Sequence, residues 1–524
     1  MKKIQIVHPF LFAIYFVAGI YSQNASQVPL HWLYRPLVIS LLLAIAIYLL
    51  LLKRFSDRAY AGWATTVLLV WFFSGHVYRL LLGMSPFWQS AFGGVLAVIM
   101  VTLPVGLLAS RYVWGRITGK QAMTTFLNGT SLVLVIFSLW NIVSLLRRSA
   151  AQIQMIRDAV LNLDVQISSA RNSSPDIYLI ILDGYGREDY LREYYGYDNS
   201  KFTTFLKQNG FYVAELSTSN YPQTELSISS SMNMNYLDDF VDGFGETSDR
   251  SPLRELLHHT ALRKVLQEHG YQFVALPSAA LFAQIDDADV YYDLIPGDIN
   301  EFEGLVLSST IAGVAVESLG VDLPVQGYRL HREYIQFSLE KLREVPALPG
   351  PKFVFAHLLS PHPPFNFDRD GNFSIPDRPY STWDASLFPG TSDEYIEEYV
   401  EQMQYLNSEV ANVIKAILQN PENPPVIIIQ GDHGPGAFYD TLELDDSCLA
   451  ERYSILNAYY FPDGNYDMLY PAITPVNSFR VVLNQYFGAD LKLLEDRNYF
   501  AGWLAPYLFT DVSDKINLVC ELHP

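Results

Sequence analysis

The stretch PDIYLIILDGY, residues 175–185, holds an unbroken apolar run that closes on Asp183 and Gly184. A short apolar run ended by a carboxylate and a glycine is the pattern of a strand buried on both faces, as in parallel sheets. In open α/β sheets the functional groups gather just past the C-terminal ends of the strands. Asp183 falls at such an end. Its alternative reading is the cap of a following helix.

Three other stretches point to the same edge. PVIIIQGDHG, residues 425–434, repeats the arrangement and delivers Asp432 and His433 side by side. Adjacent carboxylate and imidazole ligands at a strand end suit a divalent cation such as zinc or manganese. FVFAHLLSPHPPF, residues 353–365, is another apolar strand, carrying His357 near its end and His362 in a proline-rich loop. His362 has three open readings: a contact to phosphoryl oxygens, a ligand to a second metal, or a proton donor to a leaving group. His357, closer to the strand, reads as support for the loop or for a neighbouring ligand. SNYPQTELSISSSMN, residues 219–233, supplies Thr224 with Ser227 three places on. A hydroxyl needs a base or a metal to become a nucleophile. Thr224 beside a divalent ion meets that need, and a helix cap is its plainer reading.

The 524 residues carry 35 Lys and Arg against 55 Asp and Glu, unevenly spread. The first 170 residues hold 13 basic side chains and three acids, Asp57, Asp158 and Asp164, for about +10, which leaves about −30 beyond. So acidic a domain excludes nucleic acid as a partner, because phosphate backbones require positive surface. Apolar runs occupy 4–21, 36–52, 62–83, 91–110 and 126–146. Each approaches the roughly 20 residues that cross ~30 Å of hydrocarbon as a helix. The first run, after Lys2 and Lys3, also fits a signal peptide; a retained helix is expected.

Lys2, Lys3, Lys53, Arg54, Arg58, Arg111, Arg116 and Lys120 fall on one side of these runs. The other side carries Arg35, Arg147 and Arg148, with Arg79 near the end of the third run. Positive loops stay inside. The N-terminus is therefore expected in the cytoplasm and the C-terminal domain outside the cell or inner membrane. Residues 151–170 carry Ile153, Ile156, Val160, Leu163 and Ile167 at helical spacing, which predicts an amphipathic helix on the membrane or on the domain beyond, or an ordinary linker helix. The expected organisation is a membrane anchor over 1–146, a linker over 147–174 and an outer domain over 175–524. A transporter is disfavoured, since His76 stands alone with no chain of intramembrane acids. His258, His259 and His269 read as surface residues. Cys448 and Cys520 fit no zinc or redox spacing and are open to pairing as one disulfide or to burial as free thiols.

Taken in order, Asp183, Thr224, His362 and Asp432-His433 resemble the alkaline phosphatase superfamily over residues 175 to the end. The pattern is similar to its sulfatase-like branch, which includes lipoteichoic acid synthases and phosphoethanolamine transferases. The resemblance implies a bundle of about five transmembrane helices, then an α/β sandwich of alkaline phosphatase/sulfatase type with a mainly parallel central sheet. It implies a metal-dependent enzyme in which Asp183, Asp432, His433 and the Thr224 oxygen hold a divalent ion, and Thr224 becomes phosphorylated. His362 assists catalysis, and the His357–His362 spacing matches a histidine pair in the transferases.

Three departures narrow this. The stretch that supplies the nucleophile carries Thr224 and no C/S-x-P/A-x-R motif that makes formylglycine, which argues against sulfate-ester hydrolysis by that route; SIPDR, residues 374–378, fits the pattern but lies far from that stretch. Asp183 stands where the transferases have Glu, as in nucleotide pyrophosphatases and phosphodiesterases. The only histidine after the Asp-His-Gly turn is His523, which favours one ion over two. Zinc or manganese is expected, with magnesium or calcium admissible. The implied function is phosphoryl transfer on envelope lipid or glycan phosphodiesters, with membrane lipids as partners. The alternatives are a phosphodiesterase or sulfatase-like hydrolase on the same site, and a non-catalytic sensor or scaffold with a structural metal. Oligomeric state is not legible.

Overall fold

The computed structural model describes residues 5–78, 94–163, 165, 167, 175–294, 299–318, 327–378, 380–419, 424–445, 447–516 and 520. The chain divides into two compact units, Met1–Arg148 with Gly297–Gln326, and Ser149–Pro296 with Gly327–Pro524.

Among the described residues, the long helices of the first unit are α1 (His8–Asn24), α2 (Tyr34–Phe55), α3 (Arg58–Phe72), α4 (Gly94–Arg116) and α5 (Lys120–Leu161), the last continuing into the second unit. Among the described residues, Leu30–Phe55 and Lys120–Leu161 are long and apolar enough to cross a membrane. The third apolar run was expected to stay helical to 83, but α3 stops at Phe72. The cause is local. Gly75 donates its N–H to Ser309 O at 2.9 Å, and a Cβ there would stand 2.3 Å from Thr310 O. Arg79 and the start of the fourth run lie outside the described residues, as does Ile4.

Ser309 and Thr310 belong to an excursion from the later sequence. Its two short helices, Glu301–Ser308 and Ile311–Ser318, fold with the first unit. A capping box between Asn300 and Glu303 starts the first of them, and Glu303 also forms a two-pronged ion pair with Arg35. Phe302 is fully buried, edge-on to Tyr21 at 5.5 Å.

The second unit is built on a seven-stranded sheet in the order β2-β7-β6-β1-β5-β3-β4. Its strands are β1 (Ile177–Leu182), β2 (Tyr212–Val213), β3 (Gln272–Ala275), β4 (Val290–Tyr291), β5 (Lys352–Leu358), β6 (Val426–Gln430) and β7 (Asn457–Tyr460). The central strand β1 runs parallel to β5 and β6, and β3 runs parallel to β5 and β4, while β7 runs antiparallel to both β6 and β2. Every residue of β1 is buried because helices cover both faces. Ile177, Leu179 and Ile181 enter one core with residues of α6 (Thr224–Asn233) and α9 (Pro475–Phe487), and Tyr178, Ile180 and Leu182 enter another with α7 (Tyr328–Glu344) and α8 (Ser392–Leu418). The result is the expected α/β sandwich around a mainly parallel sheet.

Residues 147–161 continue α5 without a break. Ile156 and Val160 are buried in the second unit's core, and Arg157 pairs with Glu255 at 2.6 Å. Cys448 and Cys520 form a disulfide with Cα atoms 5.3 Å apart.

At the other end of β1 and β5, Asp176 and Lys352 form an ion pair with side chains 4% and 2% exposed. The Lys352 backbone N–H also donates to Asp176 at 3.2 Å. Removing one partner of a buried pair leaves an uncompensated charge. Lys352→Met is therefore expected to destabilise the second unit by about 3–5 kcal/mol, read as a lower denaturant midpoint. Asp176→Asn combined with Lys352→Met should recover part of that loss.

Candidate active site

The strand register brings the four sequence stretches together. Ile181 lies opposite both His357 and Gln430, so the residues that follow β1, β5 and β6 emerge at one edge. Backbone bonds lock the loops to one another: Asp183 N–H donates to Leu358 O and His362 N–H to Asp183 O, each at 3.0 Å. Gly184 N–H donates to Asp432 Oδ1, also at 3.0 Å. The glycine of the Asp-His-Gly turn is required sterically. A Cβ on Gly434 would stand 2.0 Å from Glu451 O.

Thr224 is the first residue of α6, not its cap; Gln223 occupies the cap position. The Thr224 hydroxyl instead lies 3.2 Å from His433 Nε2 and 3.5 Å from Asp183 Oδ2. His433 Nδ1 is spent as a donor to Gly434 O at 2.9 Å, so Nε2 carries the lone pair. That lone pair lies 3.5 Å from Asp183 Oδ1 and 3.4 Å from Asp432 Oδ2. Neither carboxylate oxygen accepts a hydrogen bond, and both are buried. Lone pairs converging on one buried point without a proton between them fit a cation.

His357 joins this group. Its Nε2 stands 3.1 Å from Asp183 Oδ2 without a hydrogen bond of sound geometry, while Nδ1 is oriented by Ser278 Oγ at 2.8 Å. Ligand atoms of Asp183, His357 and Asp432 lie within 4.8 Å of one another. A metal-binding imidazole is commonly oriented through its other nitrogen in this way. Of the two roles expected of His357, support for the loop or for a neighbouring ligand, its place beside Asp183 favours the second.

The electrostatics agree. Burial and the Arg452 guanidinium lower His433 to about 4, which keeps its ring neutral and able to act as a ligand. The sign for the metal-free protein follows: unfolded His433 takes a proton below 6.5 and the buried ring does not, so its contribution to stability is lost as pH falls from 6.5 toward 4. Burial opposes charge on Asp183, yet His362, His357 and Arg452 outweigh it and hold the carboxyl below its ordinary value. Burial also opposes charge on His362, and the carboxylates of Asp183 and Asp384 overcome it and raise the imidazole.

His362 stands one layer out. Its ring centroid is 6.1 Å from that of His433, Nδ1 donates to Pro363 O at 2.6 Å, and Nε2 lies 3.6 Å from Asp384 Oδ2. Asp384 sits in an irregular stretch without readable periodicity and escaped the sequence reading. Arg452 forms a buried salt bridge with Asp384 beside His433. Elsewhere His259 and His269 are exposed as expected, whereas His258 is half-buried and bonds Phe282 O at 3.0 Å. His523 lies outside the described residues.

The chain is similar in structure to the C-terminal periplasmic domain of EcEptC from Escherichia coli, with 13% identity over 68% of this chain and 96% of that one and a TM-score of 0.42. It is also similar to the integral membrane protein lipooligosaccharide phosphoethanolamine transferase A from Neisseria meningitidis, with 11% identity over 91% of this chain and 94% of that one and a TM-score of 0.40. A third similar structure is BT1596, a 2-O GAG sulfatase, with 13% identity over 63% of this chain and 73% of that one and a TM-score of 0.38. No curated protein sequence matches the chain. The family model described as Sulfatase matches residues 175–480, more than half of the sequence and all of the residues built into this site. The chain therefore belongs to the sulfatase family, in the branch of the alkaline phosphatase superfamily to which its motifs point.

Proposed function

We propose that this protein is a membrane-anchored, metal-dependent phosphotransferase that acts on envelope lipid or glycan phosphodiesters through a phosphorylated Thr224. The observation that carries the reading is the Thr224 hydroxyl, free of any capping role and 3.2 Å from His433 and 3.5 Å from Asp183. Asp183, Asp432 and His433, with the Thr224 oxygen and His357, would hold one divalent cation, zinc or manganese by their mixed oxygen and nitrogen character. Such a cation supplies Lewis acidity, lowering the pKa of a hydroxyl and offsetting phosphoryl charge.

The chain's own residues account for the rest. Thr224 Oγ1, its proton first lost to solvent, attacks phosphorus, and the bond from phosphorus to the departing oxygen breaks as the new one forms. Thr224 opens α6, whose unpaired N–H groups favour the negative charge that develops there. His362, raised by its carboxylate neighbours, is supplied with a proton for the departing oxygen. A glycan or lipid hydroxyl then attacks phospho-Thr224, returning its proton to His362.

The anchor is proposed as five spans with a cytoplasmic N-terminus and an extracytoplasmic catalytic unit. Loop charge supports this, and so does the Cys448–Cys520 disulfide, which belongs to an oxidising compartment. An anchored site raises the effective concentration of lipid-borne substrate. Hydrolysis is the second reading, favoured by Asp183 in place of the glutamate of the transferases.

The test is intact-mass analysis of the full chain in detergent after incubation with envelope phospholipid, with and without a sugar acceptor. A mass increase localised to Thr224, discharged faster by the acceptor than by water, supports transfer. Equal discharge by both supports hydrolysis, and no adduct on Thr224 under turnover overturns the covalent reading.

A further inference from the structure

We propose that Arg452 supplies the hydrogen bond that recognises a tetrahedral oxyanion in this site, and that Asp384 is the residue that positions it. The proposal rests on the phosphoryl-transfer reading above and adds a binding group that the sequence motifs do not contain.

The guanidinium is clamped on every side but one. Nε donates to Pro222 O at 2.8 Å, and Nη1 bonds the Asp384 carboxylate and Gly434 O, the latter at 3.3 Å. Its face lies 5.0 Å from the Tyr439 ring centroid. Only the Nη2 edge points at the reacting groups, where it donates to His433 Nε2 at 3.1 Å. Arg452 is 4% exposed and Asp384 6% exposed, so neither is a solvated surface charge. A structural strut needs Asp384 and the two carbonyls; it does not need a donor aimed at a ligand's lone pair.

His433 Nε2 has one lone pair, and two donors already compete for it: Arg452 Nη2 at 3.1 Å and Thr224 Oγ1 at 3.2 Å. A cation on that nitrogen excludes the Arg452 bond. The guanidinium cannot withdraw far, because its other donors stay engaged. Nη2 is then a buried donor without an acceptor, a state that costs free energy. Oγ1 and Nη2 both contact the same nitrogen, so they lie within about 6 Å of each other, a gap that a phosphorus near attack distance and one of its non-bridging oxygens can bridge. The acceptor that relieves Nη2 is thus an oxygen of the substrate's tetrahedral group. Phosphate and sulfate esters share that chemistry.

The experiment uses the full chain in detergent and reads binding, not turnover. Zinc is titrated into metal-stripped protein by calorimetry, then inorganic phosphate or inorganic sulfate into the zinc-loaded form. Arg452→Met should lower phosphate affinity about 100-fold and Arg452→Lys about 10-fold, since a lysine keeps the charge and loses the fixed fork. In both variants zinc should bind at least as tightly as in the unmodified chain, because a competitor for His433 is gone. If Arg452→Met does not fold, Arg452→Met with Asp384→Asn removes both charges and carries the same expectation. Phosphate and sulfate affinities unchanged within three-fold in Arg452→Lys overturn the proposal. So does zinc affinity that falls together with the melting temperature, the result for a strut. A normal Thr224 adduct with anion affinity independent of Arg452 rejects this proposal alone. Arg452-dependent anion binding with no Thr224 adduct upholds it and rejects the covalent reading.

Discussion

Thr224→Ala is expected to abolish the covalent adduct and to lower turnover by about 10³-fold or more, in a protein whose melting temperature is nearly unchanged. The two halves of that result have separate causes. The hydroxyl makes no capping bond to α6, and the residue is only half-buried, so its removal opens no core cavity and orphans no helix donor. Its loss removes the hydroxyl that stands 3.2 Å from His433 Nε2. Thr224→Ser keeps the oxygen and should retain measurable adduct. Serine freely rotates where threonine is held by its methyl group, so a reduced rate is expected. Full activity in Thr224→Ala, measured with residual adduct by mass, would reject the nucleophile assignment.

Asp432→Asn should uncouple metal binding from folding. Asp432 is fully buried; one oxygen accepts the Gly184 N–H, and the other has no partner. Asparagine can keep the first bond and present an NH₂ group where a ligand oxygen was. Metal affinity is expected to fall about 100-fold or more, with activity falling alongside it. Stability should move the other way in the metal-free protein, because Asp183 and Asp432 place like charges around one buried point. Metal-stripped Asp432→Asn is therefore expected to melt at or above the metal-stripped unmodified chain. The unmodified chain should gain stability with zinc concentration, as any ligand of the native state provides, and the variant should gain little. Equal zinc stabilisation of both proteins would remove Asp432 from the ligand set. The arrangement is a local cost carried for function, of the kind expected where buried carboxylates wait for a cation.

Several features were legible because they depend on neighbours in the chain. β1, β5 and β6 announce themselves as apolar runs because both faces of a central parallel strand are covered. The ends of those runs mark Asp183, His357 and Asp432-His433, since a strand that stops at the sheet edge delivers its next residue there. Thr224 stood out by its motif. Loop charge and run length suggested the anchor, and α2 and α5 have the length and apolarity for it.

Other features depend on partners far along the chain, and no local pattern encodes them. Asp384 meets Arg452 across 68 residues; Arg452 lies in the short helix Leu449–Tyr453 and Asp384 in no helix or strand, so no local pattern predicts the meeting. The stop of α3 at Phe72 is decided by the backbone of Ser309 and Thr310, more than 200 positions away. The sequence by itself thus determined the sheet, the edge that bears chemistry and the residue types gathered there, because hydrophobic burial and strand geometry act over a few residues. Only the tertiary structure decided that the Thr224 hydroxyl makes no capping bond, that His357 faces the carboxylates, and that Arg452 is aimed at His433. Those outcomes depend on which side-chain nitrogens and oxygens find a partner once water is excluded, and that is settled only when distant segments pack.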